Sequence, residues 1–162
     1  MRLDCILLKM HREATTRSVA HHYVAASLAK KHLFLGIPLV VITAIVGADV
    51  YPNDGGKIFP SHVISWIAIS AVVLSSLQTF MKFQEDAEKH RGVGAQWESL
   101  RRDLERDIEL ETQENYEILS IKSEILRSAS PIIPARMWSQ AVSRYDEIRK
   151  EQWPDYFAKE NK

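Results

Sequence analysis

The residues of this chain best suited to metal or proton chemistry are six histidines: His11, His21, His22, His32, His62 and His90. His21 and His32 are eleven apart, so one helix through both puts them on the same face. A metal held there needs further ligands that the sequence does not obviously supply. The plainer reading is interfacial or solvent-exposed histidine. Asp103, Asp107 and Glu111 recur every four residues, as paired carboxylates for acid–base chemistry would on a helix. They are interleaved with Arg102 and Arg106, which marks a solvated, charge-laced face. Cys5 is the single cysteine, so no intramolecular disulfide can form. It fits a reducing cytoplasm, with a palmitoylated or redox-active thiol as the functional alternative. There is no Gly-rich phosphate loop, HExxH, CxxC or nucleophile elbow. Without a convergent catalytic set, the chain reads as a non-enzyme with no cofactor and no metal.

The elements that must position these groups are unusual. Val63–Met81 runs for nineteen residues without a charged side chain. As a helix it is about 28 Å long, close to the roughly 30 Å hydrocarbon core of a bilayer. A second apolar run, Leu33–Ala48, lies fourteen residues upstream and spans sixteen residues. It lengthens if Asp49, Val50 and Tyr51 form its outer turn while Lys30 and Lys31 snorkel at the other end. At 46% hydrophobic the 162-residue chain resembles a soluble domain, but the apolar residues are concentrated between 33 and 81. A helix apolar on every face is hard to bury in so small a soluble protein. The expected fold is therefore an all-α membrane protein. It comprises a two-helix transmembrane hairpin, an N-terminal cytoplasmic helix and a C-terminal cytoplasmic helical region.

Net charge is zero, yet unevenly spread. Residues 1–32 hold six Lys/Arg against Asp4 and Glu13, and Lys82, Lys89, Arg91, Arg101 and Arg102 follow the second run. The connecting loop holds Asp49, Asp54 and only Lys57. The positive-inside rule then puts both termini in the cytoplasm, with Tyr51 and Phe59 at the outer interface. No cleavable signal peptide is visible at the start. The expected divisions are one domain over 1–150, with a lead-in helix at 12–32, a first span at 33–51 and an external loop at 52–60. A second span at 61–81 and cytoplasmic helices over 82–150 complete it, leaving a tail at 151–162. The basic pairs Lys30–Lys31 and Arg101–Arg102 suit lipid headgroups better than nucleic acid, given the absent net positive charge.

Within the spans, Thr43 and Gly47 are four apart, as are Ala44 and Ala48, a spacing that permits close helix approach in lipid. On the second span Ser61, Ser65, Ala68, Val72, Ser75 and Thr79 lie along one face, opposite mostly bulky residues. Such a stripe is either a packing seam, against the first span or a neighbouring subunit, or a wet pore lining in an oligomer.

Past Met81 a helix is expected to continue into the cytoplasm. It carries acid-first ion pairs Glu85→Lys89 and Glu98→Arg102, with Asp146→Lys150 in a later helix. Gly92 and Gly94 predict a bend or a close packing contact. Trp97, Leu100, Leu104 and Ile108 form one apolar stripe that thins at Glu111–Asn115. Helical character resumes from Tyr116 to Leu126. Pro131 and Pro134 end it, and a last helix spans about Ala135–Lys150 with Trp138, Ala141, Val142, Tyr145 and Ile148 on one side.

At Leu77-Gln78-Thr79-Phe80-Met81-Lys82-Phe83 followed by Ala87-Glu88-Lys89-His90-Arg91, the chain resembles the SLATT family, two-helix membrane proteins of bacterial conflict systems. The similarity extends to Lys30-Lys31-His32, Gly36-Ile37-Pro38, Trp97, Leu100-Arg101-Arg102-Asp103-Leu104-Glu105 and Ser130-Pro131-Ile132-Ile133-Pro134. It covers roughly residues 15–140, and the AEKHR segment after the second span is its most specific part. The resemblance implies a stand-alone inner-membrane effector that forms pores or otherwise disrupts the membrane on a threat such as phage infection. It also implies sensor, nucleotide-synthase or reverse-transcriptase partners. A homo-oligomer of hairpins in the lipid bilayer is the expected assembly. Lys31, His32, Glu88, Lys89, His90 and Arg91 are the candidate cytoplasmic coupling residues. Lys89 and His90 would brace the first span's entry at Lys31 and His32 or receive a signal; the plainer reading is a structural contact between helices.

Overall fold

A computed structural model describes residues 2–50, 59–110 and 115–152. The Cys5 side chain, the loop at 51–58, Glu111 and the tail from 153 lie outside the described residues. The described chain is all helical: α1 (Arg2–Val50), α2 (Ser61–Met81), α3 (Phe83–Glu109), α4 (Tyr116–Ala129) and α5 (Ala135–Gln152). It divides into two compact units, one of Met1–Ala26 with Ala87–Lys162, the other of Ser27–Asp86.

The first unit is a helical assembly built on the period-3.6 pattern. Trp97, Leu100 and Leu104 of α3 are wholly buried and pack with Leu7 and Ala14 of α1 and Leu119 and Leu126 of α4. Ala141 and Tyr145 of α5 are also buried. The Arg17 guanidinium covers the Trp97 ring at 5.2 Å from its centroid and lies 5.7 Å from that of Trp138. Glu13 joins helices by accepting from Arg17 at 2.8 Å and from Arg127 of α4 at 2.7 Å. Lys122 of α4 reaches Asp103 of α3 at 2.7 Å. The break between α4 and α5 falls at Ser130–Pro134, where Ser130 is extended (φ −73°, ψ 132°), as a residue before proline prefers.

In the second unit, α1 and α2 are long and apolar enough to cross a membrane, by length and composition. A core helix of a soluble protein hides its apolar face, but only 0% and 6% of the two most apolar windows are buried. Phe34 is 78% and Phe80 84% exposed. The least exposed positions recur at three and four: half-buried Leu35, Leu39, Ile42 and Val46 on α1, and half-buried Ile64, Ile67, Leu74 and Gln78 with buried Ala71 on α2. That recurrence marks the face along which each helix packs. Gly36 lies on it, and a Cβ there would sit 3.4 Å from Gln78 Nε2.

Two boundaries differ from expectation. The lead-in helix starts at Arg2 rather than residue 12 and runs without a break into the apolar run, through Pro38. The helix leaving Met81 does not continue. Lys82 adopts the left-handed conformation (φ 42°, ψ 29°), which caps α2 before α3 begins at Phe83. A Cβ-bearing residue there costs about 1–2 kcal/mol. Lys82→Gly is therefore expected to raise the thermal midpoint of the detergent-purified chain, and Lys82→Val to lower it. The exposed Lys82–Glu85 pair (3.4 Å) is too solvated to reverse that order.

Candidate functional site

The sequence-predicted groups fall into two places. The first is a buried polar layer where α1 meets α3. Small and polar residues of α1, namely Ala14, Ser18, His21 and Ala25, recur at four, three and four and are all buried. His21 Nδ1 lies 2.8 Å from His90 Nδ1, with the rings 5.1 Å apart and tilted by 41°. Ser18 donates to the Gly94 carbonyl at 3.1 Å. His11 Nε2 meets Glu105 Oε1 at 3.0 Å, and Glu105 also holds Arg101. Glu98 binds Arg101 at 2.6 Å rather than Arg102.

His11, His21 and His90 are thus buried, not interfacial or solvent-exposed. Helix α1 is far longer than the sequence suggested, and its small residues make room for imidazole rings. His90 pairs with His21, a structural contact between helices. Glu88 binds Arg91 at 2.5 Å, and Lys89 is exposed. Asp107 is also buried, accepting from Asn115 at 3.3 Å, so the carboxylate row is not uniformly solvated. Among the described residues, no group of three His, Cys, Asp or Glu is arranged to hold a metal.

The electrostatics of the histidine pair follow from burial. Desolvation lowers the His21 pKa from 6.5 to about 4, and the neighbouring His90, Arg17 and His22 push the same way. His21 Nε2 has no hydrogen-bond partner among the described residues. A protonated ring would leave an unpaired N–H there. With one proton shared between the two Nδ1 atoms, one ring donates and the other accepts. Double protonation would set two N–H groups against each other.

Gly94 makes this approach possible. A Cβ there would lie 3.2 Å from His22 Nε2 and 3.4 Å from His21 Cβ, whereas a Cβ at Gly92 meets nothing within 4 Å. Gly92→Ala is accordingly expected to stabilise by about 1 kcal/mol through helix propensity. Gly94→Val is expected to destabilise by about 1–3 kcal/mol as an overpacked site. Urea titration of both variants checks the contrast; equal midpoints would refute it.

The second place is the outer surface of the 27–86 unit. Ser61, Ser65, Val72, Ser75 and Thr79 of α2 are exposed and Ala68 is half-buried. The stripe therefore is not the face that packs within the unit, which runs through Ile64, Ala71 and Gln78. Thr43, Ala44, Gly47 and Ala48 of α1 are exposed as well. Several hydroxyls are bonded to their own helix. Ser65 donates to the Ser61 carbonyl at 2.9 Å, Thr79 to Ser75 at 3.0 Å, and Thr43 to Val40 at 2.9 Å.

In comparisons with protein-family models, curated proteins and solved structures, nothing matches this chain.

Proposed function

We propose that this chain is an integral protein of the bacterial inner membrane, spanning it twice with both termini cytoplasmic. Several copies assemble and form or gate a pore that disrupts the membrane in an anti-phage or other conflict system. The observation that carries this reading is the outward-facing small-residue stripe Ser61/Ser65/Val72/Ser75/Thr79. The hairpin does not consume it, so it is available to a neighbouring copy or to water. The resemblance at Ala87–Arg91 supplies the effector role, and partner sensors or synthases by the same analogy. Activation would shift the cytoplasmic helices and open or assemble the conduit.

The test is expression of the full chain, with its activating partner, while membrane potential and dye influx are followed. Depolarisation that Ser65→Leu alters is the expected result. An inserted chain that leaves potential and permeability unchanged overturns it.

A second reading, a non-conducting anchor or scaffold, is favoured by two observations. Hydroxyls satisfied by their own backbone can face lipid at no hydrogen-bonding cost. Ile118, Ile121 and Ile125 form an exposed apolar stripe on α4, opposite buried Leu119 and Leu126. Co-purification of a stoichiometric cytoplasmic partner without ion flux would favour it.

A further inference from the structure

At the edge of the apolar runs the 27–86 unit holds a cleft of about 480 Å³. Its lining divides by chemistry. Lys30 and Lys31 supply two ammonium groups with the Ser27 hydroxyl beside them, while Phe34, Leu35 and Met81 supply an apolar wall. Phe83 closes the polar end, with Lys31 Nζ 5.8 Å from its ring centroid. No lining residue is acidic. Among the described residues, no carboxylate lies within ion-pair distance of Lys30 or Lys31. Lys82 close by is different, since it engages Glu85.

We propose that this cleft binds one anionic phospholipid, its phosphate on Lys30 and Lys31 and the upper part of an acyl chain along Phe34, Leu35 and Met81. Three features select this occupant. Among the described residues the two ammonium groups have no carboxylate partner and therefore complement an anion. The apolar wall continues into the exposed helix surface through Phe34 and Met81, which a free phosphate would leave unused. The lysines also precede Leu33, where the first apolar run begins, and Met81 ends the second. The cleft therefore lies at headgroup depth on the lysine-rich, cytoplasmic side, where basic pockets between spanning helices recognise anionic headgroups.

This inference rests on the membrane reading above, and the experiment separates the two. Full-length protein in mild detergent is mixed with equal amounts of dioleoyl phosphatidylglycerol and dioleoyl phosphatidylcholine, and retained lipid is read by native mass spectrometry. Two surface-level lysines predict an anionic preference of about thirty-fold. Lys30→Gln with Lys31→Gln should reduce the ratio to near one, while Lys82→Gln should leave it unchanged. Alkaline-carbonate extraction of the membranes reports insertion of each variant. Equal retention of the two lipids by the wild-type chain, or an unchanged preference in the double variant, overturns the lipid site. Displacement of phosphatidylglycerol by inorganic phosphate also overturns it, because the site would then take a free anion. Release of the wild-type chain by carbonate overturns both readings.

Discussion

Replacing Trp97 with alanine is expected to lower the stability of the full chain by about 3–5 kcal/mol, the cost of emptying a large, wholly buried aromatic site. The indole is fixed on three sides. It packs in the cluster with Leu100, Leu104, Leu119 and Leu126, its face lies under Arg17, and its Nε1–H donates to Ser130 Oγ at 3.0 Å. That last bond ties α3 to the start of the proline break between α4 and α5. Trp97→Phe separates the terms. It keeps most of the apolar contact but loses the donor to Ser130, so a cost of about 1–2 kcal/mol is expected. Urea unfolding followed by far-UV circular dichroism in detergent measures both. Equal midpoints for wild type and Trp97→Ala would show that this core does not hold the unit together.

The same stripe explains what the sequence made legible. Trp97, Leu100, Leu104 and Ile108 announce a helix and its buried face by spacing alone. Pro131 and Pro134 mark the next break because proline restricts its neighbour whatever the tertiary context. The uncharged Val63–Met81 run likewise gives a helix of the observed extent. Four features escaped. The start of α1 was signalled by Leu7, Met10 and Ala14 at spacings of three and four, but charged neighbours masked that short pattern. The left-handed turn at Lys82 had no glycine or asparagine to announce it. The burial of His21 and His90 depends on contact across sixty-nine residues of sequence, with Gly94 supplying the room. A polar residue is read as exposed until its partner is known. The i+3, i+4 recurrence of Ala14, Ser18, His21 and Ala25 was the one local clue. Which face of α2 packs inward was also hidden, because an all-apolar helix offers both its small residues and its Ile/Leu residues as a seam.

That buried histidine pair gives the chain a pH response whose sign is fixed. His21 has an unfolded pKa near 6.5 and a folded value of about 4, lowered first by burial and then by His90, Arg17 and His22. Between those values the unfolded chain binds the proton and the folded chain does not. Stability is therefore intact above about pH 6.5 and falls as pH drops toward 4. The loss is on the order of 3 kcal/mol, since each tenfold change in proton affinity between the two states is worth about 1.4 kcal/mol. His11 acts in the same direction, since its burial outweighs the pull of Glu105. Glu13 and Glu98 fall in a lower window. Burial works to raise Glu13, but Arg127 and Arg17 more than offset it, and Arg101 holds Glu98 below its ordinary value. Their contribution is therefore lost only as pH falls below about 4.5. His21→Asn separates the two windows, because an amide can still hydrogen-bond His90 but does not titrate. Urea midpoints measured from neutral pH to pH 4 should fall steeply for the wild-type chain and only shallowly for His21→Asn. The carboxylate loss at still lower pH should survive in both. A wild-type midpoint that stays flat across the histidine window would mean that His21 is not desolvated. An equally steep fall in His21→Asn would move the response to other groups.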